Sequence, residues 1–179
     1  MSLGLGRRML GGGPAHCTLE FDNSRDDESV TKILEADEHQ TAVFLQALRA
    51  HKLEGWLHKP GFTFLAPTNA AFRQLQKDYR STFSSLEEML AAPAFDKVLQ
   101  YHILGEVVER ARLLDAHDVD YSHLDTVSNN TVFRGCDEGV YFIGGGSKKR
   151  CHVTLNLVAA DKCNVYVLDR VLLPNHSPL

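Results

Sequence analysis

The sequence predicts one α+β domain, with helices in its first half and strands in its second. Three observations carry this. The chain has 179 residues, which suits a single domain that buries about 70% of its surface on folding. Apolar residues make up 44% and charged residues 23%, ordinary globular usage that excludes disorder, collagen and coiled coil as whole-chain descriptions. The hydrophobic pattern also changes along the chain. It has helical spacing before Gly105 and becomes short apolar runs bounded by turns after Thr126. Elements segregated in this way form an α+β domain rather than a βαβ parallel sheet.

The elements follow in order. Residues 1–28 have the Gly-rich, polar composition of a tail or arm. Ser29 is an N-cap, and Val30, Ile33 and Leu34 share one helical face behind it. A second helix is expected from Thr41 to Leu53, with Phe44, Leu45 and Leu48 inward and Gly55 as its stop. Residues 62–65 form a buried strand that Pro67 ends. Thr68 or Asn69 caps the next helix, which buries Phe72 and Leu75. Ser85 and Glu88 form a capping box, and Pro93 lies near the first turn of a helix carrying Phe95, Val98 and Leu99. Residues 115–125 read as a polar loop. Strands are then expected over 131–133, 140–143, 153–157 and 165–168, with Gly144-Gly-Gly-Ser147 as a hairpin turn. Core positions include Phe64, Phe72, Leu99, Ile103, Val167 and Leu172. Residues 175–179 read as a C-terminal tail extending away from the domain.

Composition narrows the function. The formal net charge is −4 and the isoelectric point 6.1, so no overall basic field invites nucleic acid. No apolar run approaches the roughly 20 residues of a membrane helix. A Gly-x-Ser-x-Gly elbow is absent, and residues 144–147 lack the frame of a phosphate loop. No catalytic residue, cofactor or metal ligand is assigned. The stretch Asp115-Ala-His-Asp-Val-Asp-Tyr-Ser-His-Leu-Asp125 is rich in metal-capable side chains without the order of an EF-hand or zincin site. It reads as a solvated loop, with a metal-binding or small-ligand protein as the competing reading. Lys148, Lys149 and Arg150 after the hairpin turn, with Arg134 across it, form a basic patch open to three readings: contact with an acidic partner, contact with a lipid head group, or a turn that is only solubilising.

Four cysteines, Cys17, Cys136, Cys151 and Cys163, allow three full pairings. Buried thiols are one reading, and a Cys136–Cys151 bridge across the hairpin, which would need an oxidising compartment, is the other. Sequons occur at Asn129 and Asn175.

Three separated stretches then point one way. Thr63-Phe-Leu-Ala-Pro-Thr-Asn-Ala-Ala-Phe72 resembles the first signature of the fasciclin domain. Val98-Leu-Gln-Tyr-His-Ile-Leu104 is similar to the family's central Tyr-His motif, and Val165-Tyr-Val-Leu-Asp-Arg-Val-Leu-Leu-Pro174 to its closing signature. The resemblance spans residues 29–174 and implies a twisted, wedge-like β-sandwich with a layer of helices. It also implies a non-enzymatic module of protein–protein contact, in cell adhesion or matrix association at a cell surface. By resemblance Tyr101 and His102 are interaction candidates; by position, His102 reads as a packing residue bonded to a backbone carbonyl. The chain departs from the pattern at its end. Lys162 and Cys163 stand at the usual Asn-Gly turn, and Tyr166 stands where a His is expected.

The setting stays open between two readings. The N-terminus lacks the continuous apolar core of a secretory signal, while Arg7 and Arg8 lie in a start with no acidic residue before Glu20. That start favours an accessory subunit of a large, membrane-associated, mitochondrial complex, with Arg7 and Arg8 on acidic partners. The family resemblance favours the cell surface.

Overall fold

The computed structural model describes residues 19–22, 27–36, 40–115, 122–136, 139–159, 163–177 and 179. The first strand, β1 (Phe21–Asp22), pairs parallel with a later strand. Leu19 beside it is buried, so these residues join the sheet although the sequence reads as an arm there. Helix α1 (Val30–Glu35) starts where Ser29 accepts a hydrogen bond from the Lys32 N–H. Helix α2 (Ala42–Ala50) ends earlier than expected, because Lys52 takes a left-handed conformation at φ 58°. Gly55 does not stop it, but sits inside a short 3-10 turn, Glu54–His58.

Strand β2 (Thr63–Pro67) leads through Thr68 into α3 (Asn69–Asp78). The two capping candidates divide the work. Thr68 accepts from Ala71 N–H, and Asn69 Oδ1 accepts from Val43 N–H at 2.9 Å, capping α2 from outside it. Helix α4 (Leu86–Ala91) has Ser85 as its cap, but Glu88 reaches back to Ser84 rather than closing the box on Ser85 alone. Helix α5 (Phe95–Gln100) runs into β3 (Ile103–Leu104). A short helix, α6 (Arg110–Leu114), was not foreseen. Part of the expected loop is strand β4 (Ser122–Asp125), and β5 (Thr131–Cys136), β6 (Val140–Ile143), β7 (Arg150–Val158) and β8 (Asn164–Leu168) follow.

The strands form one continuous sheet in the order β3-β2-β8-β7-β6-β5-β4, with β1 added on β7. Its ends come together. Leu104 bridges Thr126, and Val127 N–H donates to the Ile103 carbonyl at 2.9 Å. The expected sandwich is thus a nearly closed, mixed sheet. Closure hides edges that would otherwise stay open to pairing.

Two cores follow from the period-2 alternation of strands buried on both faces. Phe64, Ala66, Val165 and Val167 face the helices, with Leu34, Phe44, Phe72 and Phe95. Leu65, Tyr166 and Leu168 face the interior of the curled sheet, with Leu104, Val132, Phe142 and Leu172. All six core positions read from the sequence are buried. The C-terminal tail does not extend away: Leu179 packs against the helical core. Residues 1–18, with Arg7 and Arg8, lie outside the described residues.

Candidate functional site

Tyr101 and His102 sit where α5 hands over to β3, and each is 1% exposed. The Tyr101 hydroxyl donates to the Thr131 carbonyl at 2.7 Å and accepts from Gly145 N–H at 3.3 Å. Burial pushes its phenol pKa up. His102 Nε2 accepts from Leu172 N–H at 3.0 Å, so that nitrogen carries no proton. Nδ1 therefore carries the proton and donates to the Val98 carbonyl at 2.7 Å. Burial lowers the ring's pKa to about 4, with the Val98 bond opposing. The ring is a neutral clamp between helix and C-terminal segment. Neither side chain reaches the surface, so neither offers a contact to a partner in this arrangement.

The basic candidates do reach it. Lys148, Lys149 and Arg150 are exposed at the turn between β6 and β7. Lys148 is left-handed at φ 51°, and the Arg150 guanidinium lies 4.4 Å from the Tyr141 ring centroid. Arg134 does not join them, because it is buried and donates to the Leu113 carbonyl at 3.0 Å. The turn leans on the C-terminal segment, with Gly146 N–H donating to the Leu173 carbonyl at 3.0 Å. A Cβ at Gly144 or Gly146 would run into the backbone of Leu173 or Pro174, so glycine is required there for close approach.

This contact creates a cleft. A cavity of about 410 Å³ opens between α3, the β6–β7 turn and residues 170–177. Ala71, Leu75, Val171 and Leu173 are its apolar wall, and Gln74, Asp78, Tyr79, Lys149, Arg170 and His176 its polar one. Lys149 Nζ stands 4.0 Å from Asp78 Oδ2 with both side chains largely exposed, a pairing worth little. Arg170 is exposed and has no ion-pair or hydrogen-bond partner among the described residues. Its neighbour Asp169, just past the end of β8, accepts from His152 N–H at 2.8 Å instead. Arg170, Tyr79 and His176 escaped the sequence reading, because only tertiary folding brings the three segments together.

The cysteines correct one expectation. Cys151 is a free, buried thiol, so the Cys136–Cys151 bridge does not form. The reason is register: β6 lies between β5 and β7, with Cys136 opposite Val140 and Cys151 opposite Phe142. Two strand spacings are about 9–10 Å, beyond the roughly 7 Å that a disulfide spans. Cys136 is disulfide-bonded nonetheless. Cys163 is buried, its Sγ donating to the Lys59 carbonyl at 3.4 Å, and Cys17 lies outside the described residues. Asn129 and Asn175 are exposed, Asn129 in a turn at φ 57°. Of the ligand-rich stretch, 116–121 lie outside the described residues, and His123 and Asp125 are exposed on β4. Tyr166 is buried, its hydroxyl donating to the Val108 carbonyl at 2.6 Å. No helix among the described residues is long and apolar enough to cross a membrane.

A family model of the fasciclin domain matches residues 39–174. Among solved structures, the chain is similar to a FAS1 domain pair from the insect cell adhesion molecule fasciclin I. The identity is 19% and the TM-score 0.57, over 76% of this chain and 46% of that one. The chain thus spans about half the length of that relative. No curated protein matches. None of this supports a mitochondrial setting or a complex-subunit role.

Proposed function

The chain belongs to the fasciclin domain family, and from that premise we propose that it is a non-enzymatic protein–protein interaction module serving adhesion or scaffold contact at the cell surface. The family match over residues 39–174 carries the reading. The disulfide at Cys136 supports the setting, since such bonds persist in oxidising compartments. The buried Tyr-His pair moves the contact surface elsewhere. In this chain those residues hold the fold, and among the described residues the exposed basic turn and its cleft offer a surface to a partner.

The test is affinity purification of the native protein after surface cross-linking, with identification of what co-purifies. The expected outcome is a reproducible set of extracellular or membrane-exposed proteins. Recovery of the domain alone, or a reduced Cys136 in a protein confined to the cell interior, would refute the reading.

A further inference from the structure

The cleft between α3, the β6–β7 turn and residues 170–177 has a composition that selects its occupant. Its volume of about 410 Å³ is that of a specific binding pocket rather than a surface dimple. One wall is apolar, through Leu75 and Leu173. Its charged side chains are Lys149, Arg170 and Asp78, which leaves an excess of positive charge in a chain whose overall charge is −4. Asp78 is engaged on its own helix, accepting from Gln74 at 2.9 Å, and its pairing with Lys149 is loose. Arg170 lies beside them, with no ion-pair or hydrogen-bond partner among the described residues. A guanidinium takes a carboxylate in a two-pronged, charge-assisted pair stronger than a neutral hydrogen bond. Tyr79 adds an aromatic edge of the type enriched where partners anchor.

We propose that this cleft is the docking site for an acidic segment of a partner protein, with an apolar side chain against Leu75 and Leu173 and a neighbouring carboxylate on Arg170. The inference rests on the interaction-module reading and names its partner chemistry. Charge complementarity decides for this occupant. The chain's own first nineteen residues carry Arg7 and Arg8 and no carboxylate side chain, so they do not complement the cleft. A neutral apolar segment would leave Arg170 unanswered.

The experiment uses the full chain against an array of ten-residue peptides that combine leucine or phenylalanine with aspartate or glutamate at varied spacings. Each peptide is paired with its asparagine or glutamine counterpart. Acidic members should bind and amide counterparts should not. Arg170→Gln should weaken the hits about tenfold, the scale of one lost charge-assisted pair, and Asp78→Asn should strengthen them. Melting temperature reports separately on the fold, and Arg170→Gln should leave it unchanged. Absence of acid-over-amide preference, or hits that bind Arg170→Gln as tightly as the native chain, would overturn the proposal. So would a dimer in sedimentation that Arg170→Gln dissolves, which would assign the cleft to a second copy. If Arg170→Gln still retrieves the partners of the native protein, the cleft assignment fails and the module reading stands. If the native protein retrieves none, the module reading itself fails.

Discussion

Protonation of His102 should set much of the acid sensitivity of this domain. The ring is buried, with Nε2 committed to accepting from Leu172 N–H and Nδ1 to donating to Val98. A second proton would displace the Leu172 bond inside an apolar environment, and the pKa falls from 6.5 to about 4. Above pH 6.5 the ring is neutral in both folded and unfolded chains and contributes no pH dependence. Between 6.5 and 4 only the unfolded chain binds the proton, so stability falls as pH falls. Below the folded pKa both states are protonated and the loss levels off. A shift of this size corresponds to about 3 kcal/mol across that window. Urea titrations in half-unit steps from about pH 7 to about pH 4 would measure it, on the native chain and on His102→Gln. The substitution should lower stability at neutral pH by about 1–3 kcal/mol through the lost buried bonds. It should also flatten the pH profile, and the difference between profiles cancels the carboxylates that titrate in the same range. Parallel profiles, or a ring proton resonance in the folded protein that titrates near 6.5, would refute the reasoning.

Three further outcomes are expected. Gly146→Ala should destabilise by about 1–3 kcal/mol, because its Cβ meets the fixed carbonyl of Pro174; at Gly145→Ala the nearest atoms are the end of the Asn175 side chain, which can shift, so the loss should be milder in thermal melts, and equal losses would contradict the packing of this turn. Tyr166→Phe should lose about 1–2 kcal/mol in denaturant titration by removing the donor to Val108 O, and an unchanged midpoint would show that bond to be idle. Cys151, whose thiol burial lifts to about 12, and buried Cys163 should resist alkylation in native protein and react once unfolded, as peptide mass mapping reads; rapid native labelling of Cys151 would contradict its burial.

Local signals in the sequence carried most of the helical half. Ser29, Thr68 and Ser85 cap their helices through the oxygen their position suggests, since a cap is made within three residues. What the sequence left hidden is long-range. Asn69 looks like a second cap for α3 but serves α2, 26 residues earlier. Strand β4 sits in a polar stretch because only Leu124 among its described side chains is buried. The cysteine register depended on which strand lies between β5 and β7, and turn patterns alone do not order strands. The cleft was hidden for the same reason. Lys149 was visible as part of a basic run, but its pairing with Asp78 and its nearness to Arg170 exist only after the C-terminal segment folds back over the glycine turn.

The parallel pairing of β2 with β8 has a consequence for how the chain is made. Thr63 lies against Asn164 and Pro67 against Leu168, partners about a hundred residues apart in the chain, a separation of the kind that slows folding. Both strands are buried on both faces and divide the two cores between them. During synthesis, neither core can close until β8 has left the ribosome, and until then β2 lacks its parallel neighbour. A premature stop or a cleavage just before Asn164 would remove the centre of the sheet rather than trim its margin, leaving a product fit for degradation instead of a shortened domain.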